Sequence, residues 1–285
     1  MFPRLAPARL TYTSPDGLTL VADAWGEPTD RAVLLMHGGG QTRHAWGGTA
    51  QALAGQGWHA VSVDLRGHGD SDWSPDADYS IEAFARDITG IARSFADPPV
   101  LVGASLSGLA GLLAQGQAEA ALFAALVLVD VTPRLDAQGA RHILDFMGAR
   151  LDEGFATLED AADTIAAYVP HRTRPKDLSG LAKNLRLHPD GRYRWHWDPR
   201  FVTGKRPVVE QREERLFACA RALRIPTLLV RGRLSDLVTP EAAAEFLALV
   251  PQARFADVSG AGHMVAGDRN DAFTAAVAEF LRSAL

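Results

Sequence analysis

Ser105 and His263 stand in the two local settings of this chain best suited to nucleophilic chemistry. Ser105 lies in Leu101-Val102-Gly103-Ala104-Ser105-Leu106-Ser107-Gly108, an apolar strand-like run that stops at a serine flanked by small residues and continues into a helical segment. A sharp strand-to-helix turn of this kind lifts the hydroxyl into the open. Side chains two before and two after it would collide unless small, a condition that Gly103 and Ser107 meet. Ser107 replaces the second glycine of the usual Gly-x-Ser-x-Gly pattern, a mild departure because serine is small and Gly108 follows. The backbone N–H of Leu106 then opens a helix, where it could stabilise an oxyanion. Upstream, His37-Gly38-Gly39-Gly40 follows another apolar run, and its glycines let the backbone approach a ligand closely. The N–H of Gly39 or of Gly40 could face the same oxyanion. Near the other end, Val258-Ser259-Gly260-Ala261-Gly262-His263 puts a histidine on a loop of small residues, open enough to serve as a general base. The remaining histidines lack such a setting. His37 reads as a loop brace, His68 sits in an Arg-Gly-His-Gly turn, and His142, His171, His188 and His196 read as surface or packing residues.

The elements that would position these groups alternate. Residues 8–25 form two strand-like runs around the turn cluster Ser14-Pro15-Asp16-Gly17, which suits a hairpin. Short runs apolar on both faces follow at 32–36, 60–65, 100–104, 125–129 and 227–230, as expected for central strands of a parallel sheet. Helix-length segments at 44–56, 80–95, 106–120, 240–249 and 270–284 lie between or after them. Strand alternating with helix gives the fold class α/β. The alternation breaks from 132 to 212, which reads as an insertion into a core formed by 1–131 and 213–285. Within it, Thr157-Leu158-Glu159-Asp160 resembles a capping box before a helix through Tyr168. The densest aromatic stretch, 192–201, offers Trp195 and Trp197 either to a substrate pocket or to packing between insertion and core.

Composition narrows the function. With 285 residues, of which 47% are hydrophobic, the chain can bury a large core. A single cysteine, Cys219, allows neither an internal disulfide nor a thiolate metal cluster, and its surroundings read as a buried helix position. The net charge of −5 and the lack of a nucleic-acid motif argue against nucleic-acid binding. The start lacks the apolar core of a secretory signal, and no apolar stretch approaches a membrane span, so a cytoplasmic protein that does not enter membranes is expected, as monomer or homodimer. Acids crowd 151–170 and bases 171–206. These halves either neutralise each other or leave a basic lip that attracts an anionic substrate.

The order His37-Gly38-Gly39-Gly40, Asp64 to Ser71, Gly103 to Gly108, an aspartate after a strand, and Gly260-Ala261-Gly262-His263 resembles the α/β-hydrolase superfamily over nearly the whole chain. The likeness is nearest to the branch of epoxide hydrolases, haloalkane dehalogenases, cofactor-free haloperoxidases and single-domain esterases. It implies a mostly parallel sheet flanked by helices, a helical cap at 132–212 roofing the site, and a structural role for Asp64 to Ser71. A serine in place of that branch's aspartate nucleophile implies acyl transfer to water, with no cofactor and no metal. The expected substrate is a carboxylic ester or lactone of a small hydrophobic molecule. The same triad also serves carbon–carbon bond hydrolysis and peracid formation, and the same fold serves non-catalytic ligand receptors. The resemblance implies the chain order Ser105, Asp236, His263, with Asp236 following the run 227–230. Asp130, after the run 125–129, is the alternative acid, otherwise read as capping the entry to the insertion.

Overall fold

The computed structural model describes residues 6–170, 174, 176–204, 209–268 and 270–285; His171 falls outside them. The apolar runs become strands: β1 (Ala8–Thr13), β2 (Thr19–Trp25), β3 (Arg31–Met36), β4 (Trp58–Val63), β5 (Val100–Ala104) and β6 (Ala125–Val129). After them come β7 (Leu185–Leu187), β8 (Tyr193–Trp195), β9 (Thr227–Gly232) and β10 (Arg254–Val258). Eight strands form one sheet in the order β1-β2-β4-β3-β5-β6-β9-β10. The hairpin β1–β2 joins β4 antiparallel, and every pairing from β4 through β3, β5, β6 and β9 to β10 is parallel. All residues of β4, β6 and β9 are buried, as a sheet covered on both faces requires.

Helices cover the two faces of the sheet and build the insertion. They are α1 (Gly47–Ala54), α2 (Ile81–Ala92), α3 (Leu106–Gln117), α4 (Ala137–Gly148), α5 (Leu158–Tyr168), α6 (Ser179–Ala182), α7 (Arg200–Thr203), α8 (Val209–Ala222), α9 (Pro240–Leu249), α10 (Val265–Asp268) and α11 (Asn270–Ala284). Alternation along β3 shows how one strand feeds two cores. Leu34 and Met36 join Phe84, Leu112, Leu216 and Phe246 of α2, α3, α8 and α9 on one face. Val33 and Leu35 join Leu53 of α1 and Phe273, Val277 and Leu281 of α11 on the other.

Between β6 and β9 the chain leaves the sheet and builds α4 to α7 and the small antiparallel pair β7–β8 around Met147, Phe155, Ala161, Leu185, Trp195 and Trp197. The side chain of Thr157 accepts the Asp160 N–H and caps α5. Helix α8 straddles the expected boundary at 212. Its Leu216, Cys219 and Ala220 pack into the sheet's core, and a Cβ on Gly116 of α3 would come within 2.4 Å of the Cys219 sulfur. Among the described residues no helix is long and apolar enough to cross a membrane.

Candidate active site

Ser105 occupies the single residue between β5 and α3 with φ +48° and ψ −113°, a conformation costly for a residue with a side chain. Three contacts hold it there. Its N–H donates to Val129 O on the neighbouring strand at 3.0 Å. A Cβ on Gly103 would lie 2.8 Å from the Gly108 nitrogen and 2.9 Å from Ser107 C, so the next-to-last residue of β5 must lack one. Ser107, expected only to be small, also donates its hydroxyl to Met36 O at 2.7 Å and to Ala104 O at 3.0 Å, tying the turn to the end of β3.

His263 is positioned by the loop after β10, and its partner is Asp130. The distance from His263 Nδ1 to Asp130 Oδ2 is 2.7 Å. Asp130 is fully buried at the end of β6, with φ +50°. Its Oδ1 accepts the Gly232 N–H at 3.0 Å, and its Oδ2 also accepts the Ser235 hydroxyl at 2.5 Å. With three donors on one carboxylate, Nδ1 of His263 carries the proton and Nε2 keeps its lone pair. The expectation that Asp236 orients His263 is therefore corrected. Asp236 points outward, half exposed, with Oδ2 3.3 Å from Nδ1 of the equally exposed His142 on α4. Its backbone is pinned, because a Cβ on Gly139 would meet Asp236 O at 2.2 Å, and this close packing with α4 accompanies the outward side chain. Nor does Asp130 merely cap the entry to the insertion.

The glycine loop is braced by buried histidines. His37 Nε2 accepts the Leu65 N–H at 3.0 Å, and His68 Nε2 accepts the Gly40 N–H at 3.1 Å. His196, from the insertion, accepts the Gly69 N–H at 2.7 Å and places Nε2 3.4 Å from Gly40 O. Burial keeps these rings neutral, pushing His37 down to about 4, His68 to about 3 and His196 well below the ordinary value. The Gly40 N–H is committed to His68, while Gly39 and Leu106 line the cavity onto which Ser105 opens. The turn from Asp64 to Ser71 is structural: Asp64 accepts the N–H groups of Arg43 and Asp70, and a Cβ on Gly69 would strike its carboxylate.

Ser105, Leu106, Gly39 and His263 open onto one cavity of about 840 Å³. Residues of the insertion roof it. Trp195 and Trp197, stacked 4.8 Å apart, both line it while packing the insertion's small core, so the two readings of these rings hold together. Gly40 lines it as well. A Cβ on Gly40 would lie 3.1 Å from Met147, and one on Gly39 3.2 Å from Phe201. Among the described residues no group of three or more His, Cys, Asp or Glu is placed to hold a metal ion.

Comparisons with known proteins agree with this fold. Residues 31–269 match the family described as alpha/beta hydrolase fold. An esterase of Mycobacterium tuberculosis is 31% identical over 251 residues, covering 86% of this chain and 80% of its own. A 3-hydroxybutyrate-oligomer hydrolase of Cupriavidus necator is 28% identical, covering 88% of this chain and 89% of its own. The crystal structure of an alpha/beta hydrolase from Novosphingobium aromaticivorans superposes with a TM-score of 0.81 at 27% identity, over 97% of this chain and 98% of its own. With the sheet order, the strained serine turn and these matches in hand, the chain belongs to the α/β-hydrolase family.

Proposed function

We propose that this chain hydrolyses carboxylic esters, lactones included, through an acyl-enzyme on Ser105. His263 Nε2 takes the proton of the Ser105 hydroxyl as Oγ attacks the carbonyl carbon. The N–H groups of Gly39 and Leu106 receive the negative charge that develops on the carbonyl oxygen. The imidazolium, balanced by Asp130 at 2.7 Å, returns its proton to the leaving alkoxide, and water, activated by the same nitrogen, then releases the acid. The insertion roofs this chemistry and supplies the apolar wall that holds the rest of the substrate. All protons in the cycle pass through His263.

The observation that carries the reading is that a buried carboxylate holds His263 at 2.7 Å while His263 and a serine held at positive φ line the same cavity. A pair arranged only for packing needs neither the strain nor the opening. The relatives named as esterase and oligomer hydrolase support an ester as the bond cleaved. The test is labelling with a fluorophosphonate probe and turnover of aryl acetates, in wild type and in Ser105→Ala. Labelling and turnover should both vanish in the variant while the circular dichroism spectrum is retained. Retention of more than about a hundredth of wild-type turnover removes Ser105 from the mechanism.

A further inference from the structure

The wall of the cavity is unevenly charged. Among its described residues it carries Arg141, Lys183, Arg200 and Arg212 but a single carboxylate, Glu213. Two of these five are already engaged: Arg200 is paired with Asp198 at 2.7 Å, and Glu213 faces Arg134 at 4.0 Å. Arg212 differs from the rest. It is half-buried near the start of α8, its Nε is buried without a hydrogen-bond partner, and it has no ion pair among the described residues. A buried guanidinium N–H left without an acceptor is costly, and an anion that enters with the ligand would supply one.

The position of Arg212 fixes how far that anion lies from the reacting carbon. Besides the main cavity, Arg212 lines a small crevice bounded by Ile81, Leu113 and Leu216 and by Glu82, whose carboxylate is paired with Arg215 at 2.5 Å. Along α3, Leu106 and Leu109 line the cavity and Leu113 the crevice, so Arg212 stands one to two helical turns beyond Ser105. At 1.5 Å per residue this is about 6–12 Å. The intervening wall, Leu109 and Ile81, is apolar.

We propose that Arg212 anchors a carboxylate of the substrate, so that the preferred substrate is an ester bearing a free carboxylate several methylenes from the bond cleaved. This rests on the ester-hydrolase reading above and names its substrate class. The planar fork of arginine matches a carboxylate through two parallel hydrogen bonds, which a neutral amide of the same shape cannot reproduce. Arg141 and Lys183, exposed at the cavity's edge, add a positive field that draws such a substrate inward.

The experiment compares monomethyl esters of dicarboxylic acids, succinate through sebacate, with the primary amides of the same half-esters. Wild type should prefer the carboxylate member of a pair by about tenfold to a hundredfold in kcat/KM, with an optimum at intermediate length. Arg212→Gln should collapse that ratio at least tenfold, chiefly through KM, and Arg212→Lys should restore part of it. A second measurement needs no variant: the free dicarboxylate of optimal length should inhibit wild-type hydrolysis of a neutral ester at least tenfold more strongly than its diamide. A ratio near one in wild type, or one unmoved by Arg212→Gln, overturns the proposal while leaving the ester-hydrolase reading intact. If no ester of either series turns over and Ser105 resists the fluorophosphonate, the broader reading has failed and this one with it.

Discussion

The loops that follow β6 and β9 start from adjacent parallel strands, and each offers an aspartate within six residues, yet they use them in opposite ways. After β6, Asp130 turns inward at positive φ, loses all contact with solvent and collects hydrogen bonds from Gly232, Ser235 and His263. After β9, the chain gives its serine to the site and sends Asp236 outward to His142. Burial with several donors stabilises a carboxylate and fixes its direction, whereas an exposed ion pair does little of either. The comparison teaches that the second loop supports the acid without supplying it.

The strongest way to break this comparison is to neutralise the inward aspartate. Asp130→Asn presents an amide where His263 needs an acceptor, selects the wrong tautomer and removes the charge opposite the imidazolium. A loss of about 10⁴ in kcat is expected, from the behaviour of such triads. Turnover of one ester, with circular dichroism to establish folding, measures it. A loss below about tenfold would mean that another group orients His263.

The next effect should come from the supporting loop. Ser235→Ala removes a 2.5 Å hydrogen bond to Asp130 Oδ2 and also the acceptor used by the N–H groups of Leu237 and Val238, at 3.1 Å and 3.2 Å. A fall in kcat of about tenfold is expected from the loss of a hydrogen bond to a charged group. Titration of active sites with the fluorophosphonate separates this from damage to folding, which would lower the number of sites labelled rather than the turnover per labelled site.

Acid should loosen the buried histidine braces of the glycine loop before the carboxylates held by arginines. The folded chain holds His37 at about 4 and His68 at about 3, against an ordinary value of 6.5. As pH falls below that value the unfolded chain takes up protons that the folded chain refuses, so the contribution of these rings is complete above about pH 6.5 and shrinks down to their folded values. The carboxylates held low by arginines, Asp16 and Asp70 among them, lose their contribution only below the usual carboxylate range. Urea midpoints should therefore decline already between pH 7 and 5. A flat line across that interval would show that protonating these rings is not linked to unfolding.

The smallest effect belongs to Asp236→Asn. An ion pair whose two side chains are 54% and 53% exposed contributes little, so turnover should stay within about threefold and stability within about 0.5 kcal/mol of wild type. A loss comparable to that of Asp130→Asn would restore Asp236 to the catalytic role and overturn the pairing described here.

Much of the core was legible in the sequence because its signals are local. An apolar run of five or six residues bounded by glycine or charge is a buried strand wherever it lies, and the bounds expected for β5, β6, α9 and α11 agree with those observed. The insertion was less legible. Thr157 announced α5, but the pair β7–β8 has only three residues in each strand, too few for alternation to register. Of the three braces, His37 could be read from its place before the glycines, but His68 and His196 were hidden, since their task is to meet backbone groups far away in sequence, as His196 meets Gly69.

Sequence alone determined the α/β class, the strained turn at Ser105 and the small-residue loop that carries His263, because glycine, small side chains and short apolar runs act on their immediate neighbours. Which aspartate meets His263 was decided only by the tertiary structure. Adjacent parallel strands bring both candidates to the same edge of the sheet, and the choice then turns on the backbone angle at Asp130, on the reach of Ser235 across to it, and on the close packing of Gly139 against the Asp236 backbone. Each of these joins residues distant in sequence, so no window along the chain contains it.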